Sequence, residues 1–262
     1  MTVTRLPKRH KVVPKLYEED ASLYAGPHPA QQWSIARWLR KQMKQHAYLR
    51  WAQVFTQVEV TGLEFLSKVD GPMIFVGNHT SHLDTILTQA ALPAAVADDL
   101  FYGAAQDRWF VKGKKKKELN PLYQSFALGT FPILRGGGLG ALSYASRLLN
   151  NGHKIFLFPE GTRAMAEELG EFKHGATILA LRHQVPVVPL YLGGLRALRP
   201  KGARQPVPGP VSLDVLEPFE FAPGTDLEAA TGLIRNAMNA AHRARNVVPS
   251  VAVAEKKDDR AA

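Results

Sequence analysis

Two segments of this chain carry atoms suited to proton transfer and anion binding. The first is Gly77-Asn78-His79-Thr80-Ser81-His82-Leu83-Asp84, directly after the apolar run Met73–Val76. His79 is of the type that exchanges protons near neutral pH, and Asp84 can hold its tautomer and stabilise the imidazolium. On a regular helix, residues five apart lie about 140° from each other. The pair therefore meets only if His79 sits in a turn and Asp84 in the first helical turn. Two other readings use the same residues. Ser81-x-x-Asp84 is a helix-capping pattern, and His79, His82 and Asp84 together form a plausible zinc ligand set.

The second segment is Phe156-Leu157-Phe158-Pro159-Glu160-Gly161-Thr162-Arg163: an apolar strand, then an acid, a glycine, a hydroxyl and an arginine in a turn. Leaving the same sheet edge as His79, Glu160 and Arg163 would make a charged pocket; otherwise they pair with each other on the surface. A related arrangement is Gly129–Arg135, followed by Gly136-Gly137-Gly138. Backbone N–H groups of such a turn can cradle an anion while Arg135 forks onto phosphate oxygens. The plainer alternative is a loop arginine beside flexible glycines. Val185–Leu190 adds another apolar run.

These groups need a scaffold that delivers them to one edge. Strand-like runs fall at Val58–Thr61, Met73–Val76, Phe131–Leu134, Lys154–Phe158, Val187–Leu192 and Val211–Leu216, and helical stretches lie near Ser81–Ala91, Leu119–Leu128, Gly140–Leu149, Gly175–Arg182 and Asp226–Ala244. Such alternation predicts a single α/β domain with a mixed, largely parallel sheet flanked by helices. The carboxyl ends of its strands are where reactive groups gather. The domain is expected over residues 55–245, with a basic arm over 1–54 and a flexible tail over 246–262.

The arm holds much of the charge. The chain has 262 residues, 33 basic against 23 acidic, for a net charge of +10. Ten basic and three acidic side chains lie within residues 1–50, so +7 of the +10 sits there. From Gln31 to Phe55 the pattern is helical, with Trp33, Ala36, Leu39, Met43, Ala47, Trp51 and Val54 recurring every three or four residues among Arg37, Arg40, Lys41 and Lys44. A basic amphipathic helix with tryptophan suits a bilayer interface; the alternative is a helix packed on the domain with a solvated basic face. Lys112 and Lys114, Lys115, Lys116 and Lys117, with Arg108, form a second basic cluster.

Composition excludes several classes. Hydrophobic residues at 45% and charged residues at 21% are ordinary for a globular protein. With no cysteine, disulfides, cysteine-zinc sites, iron–sulfur clusters and a cysteine nucleophile are excluded. The longest stretches without Asp, Glu, Lys or Arg, Ala21–Ala36 and Leu119–Leu134, contain proline and polar residues and fall short of the about 20 apolar residues of a spanning helix. No apolar segment follows the basic Met1–Lys15, so no signal peptide is expected. The positive surface calls for an anionic partner, and no nucleic-acid-binding module accompanies it.

Taken in order, the four segments resemble the glycerolipid acyltransferases typified by 1-acyl-glycerol-3-phosphate acyltransferase. The blocks are Asn78–Asp84, an N-H-x-S-x-x-D form of the H-x4-D motif, then Gly129–Arg135, Phe158–Arg163 and Val185–Leu190. Leu134 departs from relatives that carry a polar residue beside the arginine. The resemblance implies direct acyl transfer from a thioester of coenzyme A or acyl carrier protein to a glycerolipid hydroxyl, by default that of 1-acyl-glycerol-3-phosphate, with glycerol-3-phosphate or another lipid hydroxyl as the alternative acceptor. His79 would be the base and Asp84 its orienting partner; no metal or other cofactor is implied. Arg135, Glu160, Gly161, Thr162 and Arg163 would hold the acceptor, and Val185–Leu190 would be a donor-side or packing element. The lysines at 112 and 114–117 would meet donor phosphates, an acidic carrier or anionic lipid. The expected location is the cytoplasmic face of a membrane, held peripherally through the arm.

Overall fold

In β2 (Ile74–Gly77), every residue is buried. That is the condition of a strand covered on both faces, and a continuous apolar run is how sequence meets it. The computed structural model describes residues 29–110, 121–134, 138–163, 169–198 and 206–246. Around β2 it arranges β1 (Thr56–Thr61), β3 (Leu100–Ala105), β4 (Thr130–Ile133), β5 (Lys154–Leu157), β6 (Val187–Gly193) and β7 (Gly209–Val215) into one sheet, in the order β1-β7-β6-β2-β5-β3-β4. Only β6 and β7 pair antiparallel; all other neighbours are parallel. The five strands from β6 to β4 therefore share one carboxyl edge, in the mixed, largely parallel sheet predicted.

The longer described α-helices are α1 (Ser34–Met43), α2 (Leu49–Phe55), α3 (Asp84–Ala91), α4 (Pro121–Ala127), α5 (Ser143–Asn150), α6 (Gly175–His183) and α7 (Leu227–Asn246). Alternate residues of each strand point to opposite faces, and β2 divides accordingly. Ile74 and Val76 enter one core with Leu148 of α5, Leu179 of α6 and Met238 of α7. Phe75 enters the other with Leu87 of α3, Tyr102 and Phe156. Each such side chain contributes about 1.5–3 kcal/mol by leaving water. None of the described helices is long and apolar enough to cross a membrane.

Two features differ from the sequence reading. Strand β3 was not expected there, because Gly103-Ala104-Ala105 has the low strand propensity of a loop. Its glycine is a packing requirement: a Cβ at Gly103 would lie 2.5 Å from Ile133 and 2.8 Å from Leu157. The second is the face on which the arm packs. Ala36, Arg40, Lys44, Tyr48 and Ala52 are its buried residues, a row at every fourth position kept on one side by a π-turn at Lys44–Tyr48. Trp33 and Trp38 stay 64% and 53% exposed, with Ile35 and Leu39 beside them. Two of the basic residues, Arg40 and Lys44, thus face inward, while Lys41 and Arg50 stay exposed.

Specific partners explain the reversal. Arg40 donates to the carbonyls of Gln31 at 2.8 Å and Ser125 at 3.5 Å, and its guanidinium lies 4.9 Å from the centre of the Phe101 ring. Burial, with Arg37 adding repulsion, pulls its pKa down to about 10. Lys44 lies 3.6 Å from Asp98, and Tyr48 donates to the carbonyl of Ala127 at 3.0 Å. Arg37 reaches Asp99 at 3.3 Å, and His153 reaches the same carboxylate oxygen at 2.8 Å. Burial alone would raise the Asp99 carboxyl, but the bonds from His153 and Arg37 outweigh it and hold it below its ordinary value. Stability from Asp99 is therefore present above the ordinary carboxylate pKa and lost as pH falls through the depressed one. Asp99→Asn is expected to lower unfolding free energy by about 1–2 kcal/mol at pH 7, allowing for partial exposure. The gap to wild type should close in acid, as read by denaturant melts at several pH values.

Candidate active site

The site begins where β2 ends. A Cβ on Gly77 would lie 2.4 Å from the tip of the Phe156 ring, so only glycine lets the strand pass this close. The next residue, buried Asn78, pins the exit of β2 to β6. Its side-chain amide donates to the Leu192 carbonyl at 2.9 Å and accepts the Leu192 N–H at 2.7 Å. The chain then turns through residues 79–83 before α3 starts at Asp84.

This turn satisfies the spacing that the sequence demands. His79 Nδ1 lies 2.8 Å from Asp84 Oδ2. Thr80 donates its N–H to the same oxygen at 2.8 Å, and Ser81 donates its N–H to the carboxylate at 3.0 Å. The Asp84 side chain has no exposed surface. With Nδ1 donating to Asp84, Nε2 is the nitrogen left for proton exchange, on a side chain 21% exposed. Ser81 does not cap α3, whose N-cap is Leu83 with no side-chain bond; instead Asp84 reaches back to the Ser81 N–H and Ser81 Oγ accepts the Leu83 N–H at 3.2 Å within the turn. One carboxylate closes the turn and holds the imidazole.

The exit of β5 supplies the neighbouring wall. Phe158 stacks on the His79 ring with centroids 4.2 Å apart. Behind it runs an aromatic column, Phe158 to Phe156 at 4.9 Å and Phe156 to Tyr102 at 5.3 Å. Glu160 is buried, and its two oxygens accept the backbone N–H groups of His79 at 3.1 Å and Gly170 at 3.2 Å. Burial pushes its carboxyl above the ordinary value, against the pull of those two N–H groups. Gly161 adopts φ +68°, a left-handed conformation that glycine permits, and its N–H returns to the Phe158 carbonyl at 3.0 Å. Thr162 and Arg163 follow on the exposed side.

The remaining predicted residues fall elsewhere. Val187, Val188 and Leu190 are fully buried core residues of β6. His82 is exposed, its ring edge-on to Trp109 at 5.4 Å. Among the described residues, no three His, Cys, Asp or Glu side chains gather as a metal-binding group. Arg135, Lys112, Lys114, Lys115, Lys116 and Lys117 lie outside the described residues. The sequence assigned no separate role to Asn78 or Phe158, although both stand inside recognised blocks, next to His79 and two before Glu160.

Comparison with known proteins meets this geometry. The family model described as Acyltransferase matches residues 57–193, over half of the chain. The chain belongs to the Acyltransferase family. Among its relatives, the chloroplastic 1-acyl-sn-glycerol-3-phosphate acyltransferase BAT2 of Brassica napus is 29% identical over 162 residues, 58% of this chain and 43% of that protein. The human 1-acyl-sn-glycerol-3-phosphate acyltransferase alpha is 27% identical over 194 residues, 70% of this chain and 62% of that one. This acyltransferase-family chain thus spans under half the length of the plant relatives it matches. The crystal structure of the 1-acyl-sn-glycerophosphate acyltransferase PlsC from Thermotoga maritima shares the fold, with a TM-score of 0.61, 24% identity and coverage of 82% of this chain and 81% of that one.

Asp84→Ala would strand the N–H groups of Thr80 and Ser81 and the Nδ1 hydrogen of His79, each costing about 1–3 kcal/mol when buried without an acceptor. The expected loss of unfolding free energy is at least about 2 kcal/mol, measured by chemical denaturation.

Proposed function

We propose that this protein transfers a fatty acyl group from an acyl thioester to the free hydroxyl of 1-acyl-glycerol-3-phosphate, a step of phospholipid synthesis. The observation that carries the reading is the 2.8 Å contact between His79 Nδ1 and Asp84 at the carboxyl edge of the sheet. Membership of the family and the names of the relatives support the reaction and the acceptor. His79 Nε2 takes the hydroxyl proton as the oxygen attacks the thioester carbonyl. The C–O bond forms, the C–S bond breaks, and the proton passes from His79 to the departing thiolate sulfur. Asp84 stabilises the imidazolium between these events. General-base catalysis of this kind contributes about 10²–10⁴-fold. The route uses neither a metal nor a prosthetic group.

Arg163, with Thr162 and Gly161 beside it, is exposed at the turn after β5 and suits the acceptor phosphate, together with Arg135. The donor is acyl-coenzyme A or acyl carrier protein; the lysines at 112 and 114–117 suit either, or anionic lipid. The outward face of α1, with Ile35, Trp38 and Leu39, and the exposed Trp33 just before the helix suit a bilayer interface, where amphipathic aromatic rings are favoured. That face supports peripheral attachment to a membrane, which we propose to be at its cytoplasmic side.

Thiol release from acyl-coenzyme A is the direct test, with lysophosphatidic acid, glycerol-3-phosphate or no acceptor, with and without EDTA. Release that requires lysophosphatidic acid, survives EDTA and falls about 10²-fold or more in His79→Ala is the expected result. EDTA-sensitive release without an acceptor would replace the reading with a metal-dependent hydrolase. No transfer from either donor class to any of these acceptors would reject it. For the membrane face, Trp33→Asp with Trp38→Asp is expected to abolish co-sedimentation with phosphatidylglycerol vesicles while leaving the melting temperature unchanged. Unaltered sedimentation would place the contact elsewhere.

A further inference from the structure

The turn after β5 touches His79 at two points, one on its ring and one on its backbone. The bond from Nδ1 to Asp84 fixes one atom of the imidazole but leaves the ring able to tilt about the Nδ1–Oδ2 line. Phe158, stacked at 4.2 Å and 29° between planes, removes that freedom. Phe158 is in turn backed by Phe156 at 4.9 Å. The second point is the main chain: Glu160 Oε1 accepts the His79 N–H at 3.1 Å. Its other oxygen accepts the Gly170 N–H at 3.2 Å, so both oxygens face backbone donors inside the protein. The family resemblance implies an acceptor-holding role for this acid, which the geometry does not favour.

We infer that Phe158 and Glu160 are positioning residues for the base, Phe158 setting the plane of the His79 imidazole and Glu160 fixing the backbone that carries it. The inference rests on the acyl-transfer reading, in which His79 must meet a hydroxyl proton in line. Misplacement by about 1 Å costs such a step on the order of 10²-fold. The strands that hold the two parts are hydrogen-bonded neighbours, Val76 pairing with Leu157, so the clamp is built between adjacent strand exits. A carboxylate is the suitable group because it accepts from two N–H donors at once. A glutamine amide would oppose one of them with its own NH2.

The test is steady-state kinetics with acyl-coenzyme A and lysophosphatidic acid on wild type, Glu160→Gln, Phe158→Leu and Phe158→Tyr, each with a thermal melt. Glu160→Gln and Phe158→Leu are expected to lower kcat by about 10- to 100-fold with the acceptor KM close to wild type. Phe158→Tyr, which restores an aromatic face, should recover most of the loss. Glu160→Asp keeps the charge but withdraws it from the His79 N–H; it repeats the measurement should Glu160→Gln melt below the assay temperature. A raised acceptor KM at preserved kcat in the Glu160 variants would make Glu160 an acceptor ligand and overturn its part. A Phe158→Leu protein with wild-type kcat would overturn the other. Absence of transfer by wild type would be a failure of the acyl-transfer reading itself, separate from either.

Discussion

Asp84 has no exposed surface, so the acceptor sites of its carboxylate must be met from inside the protein. Its closest donors are two backbone N–H groups from the preceding turn and the Nδ1 of His79, with the Thr80 hydroxyl farther off at 3.4 Å. Bringing all three to one carboxylate dictates the local path: the chain must leave β2, fold tightly over residues 79–83, and return as α3 with Asp84 at its first position. A straighter turn would strand the N–H groups, and an earlier helix would swing His79 away. The imidazole is therefore held by the same force that shapes the backbone around it.

The turn is stable because the sheet grips it on both sides. Asn78 ties it to the exit of β6, Glu160 ties it to the exit of β5, and Gly77 allows β2 to run against Phe156 between them. Three strands adjacent in space but remote in sequence thus converge on one histidine. Parallel strands make this convergence possible, since all their carboxyl ends emerge along one edge, where α/β proteins gather their chemistry.

How much of this was legible in the sequence differs by residue. His79 and Asp84 were legible because the chemistry restricts both residue types and the five-residue spacing restricts the geometry. The apolar runs marked six of the seven strands among the described residues. Strand β3 was hidden, since the signal in Leu100-Phe101-Tyr102 is followed by two low-propensity alanines and a glycine whose value lies in fitting under Ile133 and Leu157. The arm was legible as a helix and illegible in orientation. Periodicity places cations outward by default, and nothing local reveals that Arg40 meets the Ser125 carbonyl or that Lys44 meets Asp98. Glu160 was visible as an acid in a turn, but not as a buried one facing the N–H of His79. In each case the missing information is a contact between distant parts of the chain.

The aromatic column from Tyr102 through Phe156 and Phe158 ends on the imidazole. Two of its rings belong wholly to the core, and the last lies against His79, so no boundary separates the packing of the interior from the alignment of this imidazole. A change of volume deep in the sheet would travel ring by ring to His79, because a close-packed interior transmits displacement rather than absorbing it. The interior of this protein thereby bears on the placement of His79, and a core substitution that changes the volume at Phe156 or Tyr102 would register as a displaced imidazole.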